Sequence, residues 1–332
     1  MKFRSIAAIS LLAGSSYSAS SQSPSCPNDI LIMKTGLAVN PDGAAASYAP
    51  GDRGFTYINN GVNLIDNGVK RSCITNSALC REKWAQAEAG SFARGTPEFC
   101  SFAIAAAPIA ADGKLTGCEN KKGRFIIGNG KGRPAPGSVV KNVEGKDVIT
   151  YLSMTSLTHS VNGQTRYVDS SKLPGIVVPT SRPELVGSLA WVEFGEFSTF
   201  AIVSDTGPAF GEGSVALHQL LRYGALQTPQ PIGPIPVAMR CGPAETLKAP
   251  FQSRPDLKTD KCKPGYVAKT ISDIRAYSGI ESGVTTVILK NVKPPMKGWM
   301  SQIELTTSAL EKTAQFAGYD AARLATLAKC KG

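Results

Sequence analysis

The chain has 332 residues, 42% of them hydrophobic, enough to build a core and too many for a disordered or collagen-like chain despite 33 Gly and 22 Pro. Lys and Arg number 36 against 25 Asp and Glu, a formal charge of +11, but the basic residues are scattered, so nucleic acid is not an expected partner. The one long apolar run lies at the N-terminus and is too short to span a bilayer, so no membrane segment is expected either.

That run reads as a signal peptide over residues 1–20. Lys2 and Arg4 form its charged start, Ile6 to Leu12 its apolar stretch and Ser18-Ala19-Ser20 its cleavage site. The mature chain, 21–332, is expected to be secreted, extracellular or periplasmic, and to act as a single catalytic domain and a monomer. An even count of eight cysteines in an exported chain points to disulfides of unassigned connectivity. Metal binding is disfavoured because no C-x-x-C occurs and His159 and His218 are far apart. No cofactor is implied.

In chain order, Ile30 to Val39 reads as a strand, stopped by the Asn40-Pro41-Asp42-Gly43 turn. Residues 73–118 are Ala-rich and carry four cysteines. They predict a disulfide-stapled insertion with a helix over Ser77 to Ala89. The glycine-rich run from Gly128 to Gly137 lacks the phosphate-loop order and contains two prolines that block a following helix, so it reads as a basic surface loop. His159 falls in a Thr/Ser-rich loop.

Strands are expected over Val148 to Met154, Gly175 to Pro179, Ser188 to Phe194 and Thr199 to Asp205, with a hairpin turn over Gly195 to Ser198. The last two are apolar on both faces and belong in a closed or covered sheet. A helix capped by Ser214 runs to Gly224, Gln227 to Val237 is too Pro-rich for a central strand, and Thr285 to Leu289 reads as another strand. Residues 300–332 form a helical tail interrupted at Gly318. The fold class is mainly β with flanking helices, α+β, around a closed β-barrel with double-psi character as one option.

The chemistry concentrates in Asp205-Thr206-Gly207-Pro208-Ala209-Phe210-Gly211-Glu212-Gly213-Ser214. A buried strand delivers one carboxylate, and a second sits between two glycines at a helix start. Glycines leave room for a ligand, and burial can raise one carboxyl pKa while the other stays ionised. Two carboxylates held apart by a rigid frame suit glycosidic cleavage, although an Asp in a turn and a Glu near a helix start also serve as caps.

This segment resembles the active-site segment of the fungal-type chitosanases, glycoside hydrolase family 75. Asn40-Pro41-Asp42-Gly43-Ala44, Tyr48 and Gly54-Phe55-Thr56-Tyr57 resemble that family's early elements, as do Arg166-Tyr167-Val168-Asp169 and Leu173-Pro174-Gly175-Ile176-Val177-Val178-Pro179 further on. The resemblance implies a secreted endo-acting hydrolase that cuts β-1,4-linked glucosamine polymers with inversion. Asp205 and Glu212 would be its catalytic carboxylates, about 6.5 to 9.5 Å apart, with Glu212 favoured as the acid. Asp42, Thr206 and His218 would contact the polysaccharide. Without the signal the balance is 34 basic against 25 acidic residues, or +9, so a polycationic substrate needs a locally acidic groove.

The Asp-Thr-Gly pattern at a strand end also looks like the core of double-psi β-barrels, which include murein lytic transglycosylases, where Asp205 would act alone. A secreted polysaccharide-binding protein without turnover, using Trp84, Trp191 or Trp299, is the reading from another class.

Overall fold

A computed structural model describes residues 26–50, 61–118, 123–141, 145–226 and 279–330. The expected signal peptide, the Gly54 to Tyr57 element, the Gln227 to Val237 stretch, Cys241 and Cys262 lie outside the described residues.

Strand β1 (Ile30–Asn40) opens the fold, and β2 (Val62–Asp66), β3 (Val69–Ser72), α1 (Ser77–Ala89), β4 (Glu98–Ser101), β5 (Ala106–Ala107) and β6 (Ile126–Ile127) follow. Next come β7 (Arg133–Pro134), β8 (Pro136–Lys141), β9 (Asp147–Tyr151), β10 (Thr158–Val161), β11 (Gln164–Tyr167), β12 (Gly175–Pro179), β13 (Leu189–Phe194), β14 (Phe197–Gly207) and β15 (Glu212–Ser214). Helix α2 (Val215–Tyr223), β16 (Ile280–Leu289), β17 (Met296–Lys297), β18 (Met300–Ser301), α3 (Thr307–Phe316) and α4 (Ala321–Leu327) complete it.

Six strands close into a barrel in the order β1-β15-β12-β14-β13-β16, with β16 pairing back onto β1. The pairs β1–β15 and β12–β14 are parallel, and the remaining neighbours run antiparallel. The two-sided apolar character of β13 and β14 has a direct cause. One face meets the barrel interior, and α2 and α3 pack against β14 from outside. Leu189, Ala190, Val192, Ala201, Ile202 and Val203 are accordingly fully buried. The β13–β14 hairpin turns in two residues, tighter than the expected Gly195 to Ser198. Gly195 has φ 60° and Phe197 already pairs with Phe194, the geometry that a glycine at the first central position of a II′ turn supplies.

Helix α2 starts where the sequence places it. The Ser214 hydroxyl accepts from Leu217 N at 3.1 Å, and Gly224 closes the helix at φ 68°. In the tail, α3 and α4 are each capped, by Thr306 and Asp320, and separate around Gly318 at φ 80°.

The cysteine-rich part differs in extent from the expected insertion. Besides Trp84, Phe99 and Ile104, its core takes in Tyr48, Val62, Leu64, Ile127 and Tyr151, which lie outside residues 73–118. This lobe is built on the sheet β3-β2-β4-β6 with α1 laid against β2. Disulfides Cys73–Cys80 and Cys100–Cys118 fall within it, and Cys26–Cys330 ties β1's approach to the tail of α4. No helix among the described residues is long and apolar enough to cross a membrane. The glycine-rich turn after β6 is pinned down: Asn129 Nδ2 donates to Glu98 at 2.5 Å and Lys131 pairs with the same carboxylate at 2.8 Å.

His159 is not in a loop. It lies in β10, half of a hairpin whose turn is Asn162-Gly163, at φ 51° and 76°, the type I′ pattern.

Candidate active site

Asp205 sits near the end of β14, where β12 pairs alongside in parallel, Val177 to Asp205 and Val178 to Thr206. Its carboxyl is surrounded by donors. Oδ1 accepts from Ser156 N at 3.0 Å, from the Ser156 hydroxyl at 2.6 Å and from Thr206 N at 2.8 Å, while Oδ2 accepts from Asn40 Nδ2 at 3.3 Å. Because Ser156 spends its proton on Asp205, the Thr206 hydroxyl donates to Ser156 Oγ across 2.9 Å. Thr206 therefore braces the group that orients Asp205. Burial pushes the Asp205 pKa up, and the hydrogen bonds from Ser156, Thr206 and Asn40 oppose that shift.

Glu212 arrives differently. It was expected at a helix start, but it begins the short strand β15, with Ala38 N donating to Gly211 O at 2.7 Å and Ala38 in register with Glu212. Gly211 turns the chain at φ 96°, and the pairing with β1 keeps Glu212 extended until Ser214 caps α2. The helix dipole starts at Ser214, two residues beyond Glu212. Glu212 is half-buried, and its carboxyl makes no hydrogen bond among the described residues. Burial raises its pKa, and the charge of Asp205 adds to the rise. A Cβ on Gly207 would lie 3.7 Å from Glu212 Oε2, so the end of β14 passes beside this carboxyl.

A third carboxyl joins them. Asp42 follows β1 in a turn closed by Ala44 N donating to Pro41 O at 3.0 Å, with Gly43 at φ 87°. Asn40 holds both acids: its Oδ1 accepts from Asp42 N at 2.8 Å while its Nδ2 donates to Asp205. The Tyr48 hydroxyl donates to Asp42 Oδ1 at 2.6 Å. Asp42 keeps some solvent contact, but its carboxyl is enclosed by protein. Burial first, then the charges of Asp205 and Glu212, push its pKa well up against the opposing Tyr48 bond. Tyr48 is 1% exposed and is itself pushed well up, by burial and by Asp42.

Three coupled acids cannot all ionise at low cost. Asp205 accepts four hydrogen bonds that oppose the rise in its pKa, whereas Asp42 is opposed by the Tyr48 bond alone and Glu212 by none.

His218 is corrected. One turn into α2 it points inward, 2% exposed, with Nδ1 2.9 Å from Ser214 O and Nε2 2.9 Å from Leu37 O. It locks α2 to β1 and cannot meet a polymer. Trp84 and Trp191 are core residues, at 1% and 5% exposure, and of the three tryptophans Trp299 alone is open, at 47%. The sequence reading missed Ser156 and treated Asn40 as turn chemistry alone. Ser156 lies 49 positions before Asp205 in an ordinary Thr/Ser stretch with no local signal, but Asn40 could have been weighed as a side chain leaving a strand end beside the acids. Among the described residues, no group of His, Cys, Asp and Glu could hold a metal ion.

No protein-family model matches the chain, and no curated protein matches it at a significant level.

Proposed function

We propose that the protein is a secreted glycoside hydrolase with one catalytic domain that cleaves β-1,4 bonds of an amino-sugar polymer, chitosan first, by an inverting two-carboxylate mechanism. One observation carries this reading: a carboxylate held by four donors lies beside a second carboxyl that has none and whose pKa is raised by burial and by its neighbour's charge. Opposed environments of that kind separate a base from an acid. Glu212 protonates the leaving glycosidic oxygen while Asp205 takes a proton from the water that attacks the anomeric carbon. The cluster of three carboxyls gives the site the local acidity that a chain of net positive charge requires in order to hold glucosamine units. The resemblance to family 75 chitosanases over Asp205 to Ser214 supports the same assignment, and the three disulfides are compatible with export.

A murein-acting double-psi barrel using Asp205 alone is the second reading. It is favoured by the two parallel pairs in a six-stranded barrel and by the convergence of the site's donors on Asp205. Product analysis on chitosan, acetylated chitin, cellulose and peptidoglycan separates the two. Short oligosaccharides released from chitosan with inverted anomers support the first, and activity confined to peptidoglycan supports the second.

A further inference from the structure

A cavity of about 780 Å³ opens beside the acid cluster and contains neither Asp205 nor Glu212. Its volume lies within the range of ligand pockets. Gly43 forms part of its wall, so it begins one residue from Asp42, and the other walls come from the β8–β9 pair, the β10–β11 hairpin and the start of α3. A side chain on Gly43 would meet Val168 O at 2.2 Å, so the turn packs directly against the segment that follows β11.

The lining mixes apolar and polar surface, and its charged groups are close to balance. Arg166 and Lys172 stand against Asp169 and Glu304, with Lys172 and Asp169 already paired at 3.0 Å. His159 lines the same space at 9% exposure. Its Nδ1 accepts from Leu305 N at 2.9 Å, which places the proton of the neutral ring on Nε2, and that N–H has no protein partner among the described residues. Burial lowers the His159 pKa, Arg166 adds to that shift, and Glu304 and Asp169 oppose it. Tyr151 and Tyr167 add flat apolar surface among hydroxyls and amides. Such a lining suits neither a polyanion nor a polycation. It suits a ligand rich in hydroxyl and amide groups.

We propose that this cavity is a second saccharide-binding site, taking neutral, N-acylated hexosamine units of the polymer whose reacting bond lies at Asp205 and Glu212. The two sites share the Asp42–Gly43 turn, so one chain can occupy both, with cationic units at the acids and neutral units beyond the turn. The identity of the polymer rests on the glycosidase reading; the existence of the site does not.

The test uses the full chain carrying Glu212→Gln, so that ligand is bound without being cut. Tetramers of N-acetylglucosamine and of glucosamine are titrated calorimetrically, with and without Ser138→Trp. Ser138 is an exposed wall residue whose hydroxyl makes no bond among the described residues, so the bulky substitution narrows the cavity without removing a contact. Ser138→Trp should weaken the acetylated tetramer about tenfold, leave the melting temperature unchanged and, in the active protein, raise KM for long partly acetylated chains at constant kcat. Glu304→Gln should weaken binding in the same direction by less. Equal affinity with and without Ser138→Trp, or no binding of the acetylated tetramer by the parent, overturns the proposal. If the active protein hydrolyses none of the polymers while Ser138→Trp still weakens binding about tenfold, the glycosidase reading fails and the saccharide site stands.

Discussion

The barrel and the cysteine-rich lobe reach order by different routes. The barrel buries a continuous apolar set from Ile30 to Leu289 and holds its acids on strands closed in a ring, with no disulfide among those strands. The lobe packs a smaller cluster around Trp84, whose ring meets Phe92, Phe99 and Tyr151 edge-on at 5.0 to 5.9 Å, and adds two short covalent loops. A small core has less buried surface to set against chain entropy, and cross-links lower that entropy in the unfolded chain. The regions meet at Tyr48, which is buried in the lobe's core and donates to Asp42 at the barrel's rim. Ser153 makes a second link, its hydroxyl accepting from Gly43 N at 2.8 Å and donating to Ala103 O of the lobe at 3.3 Å, so the lobe and the acid turn are coupled through both hydroxyls.

The largest expected effect falls on the barrel side. Asp205→Asn and Glu212→Gln should each reduce turnover by about a hundredfold or more, with melting temperatures close to the parent's. Asn at 205 can still accept from Ser156 and Thr206 through its remaining carbonyl oxygen. Steady-state kinetics with parallel calorimetry checks this. A fully active Glu212→Gln would leave only the single-Asp reading, and matched losses of activity and stability would make both acids structural.

On the lobe side, replacing Cys100 and Cys118 by Ser opens a loop with a sequence separation of 18 and should cost about 3 kcal/mol by loop entropy. Denaturant unfolding would read this through Trp84 fluorescence, while kcat holds under native conditions. A parallel collapse of activity would show that the lobe shapes the acids by more than Tyr48 and Ser153. Gly43→Ala strikes the boundary. At φ 87°, with Val168 O 2.2 Å from the new Cβ, it should cost about 2 kcal/mol or more and lower activity by displacing Asp42, measurable by thermal melts and KM.

The smallest expected effect is electrostatic. A carboxyl whose folded pKa exceeds its unfolded one binds more protons in the native state, so its contribution is full below the ordinary carboxylate range and is lost as pH rises through the raised value. Asp42 and Glu212 both behave this way. Asp42→Asn keeps an acceptor for Tyr48 and removes a repelled charge, so it should stabilise the protein by about 1 kcal/mol above that range and leave stability unchanged at acid pH. Denaturant titrations across pH would expose a parent profile that does not fall, which would place the proton elsewhere.

Much of the barrel was legible because its signals are local. Two-sided apolar runs identified β13 and β14, Ser214 and Gly224 bracketed α2, and the alternation before Asn40 gave β1. The acids were legible for the same reason, since glycines flank Glu212 and an apolar strand delivers Asp205. Two hairpins were missed although Asn-Gly turns mark both, Asn67-Gly68 between β2 and β3 and Asn162-Gly163 between β10 and β11. In each hairpin one strand, β3 or β11, is exposed and mostly polar, so the hydrophobic pattern was faint there and the turn residues carried the information. The inward turn of His218 and the bracing role of Ser156 depend on contacts 181 and 49 residues apart, which no window of sequence contains.

Cys26–Cys330 joins residues 304 positions apart, so the backbone between them forms a covalent ring. A single proteolytic cut anywhere inside that ring opens it without releasing a fragment. Such a nick would convert a ring into a chain with new ends while β1 and α4 stay tethered. Damage that would divide a linear protein would leave this one in a single piece, free to close again around its barrel.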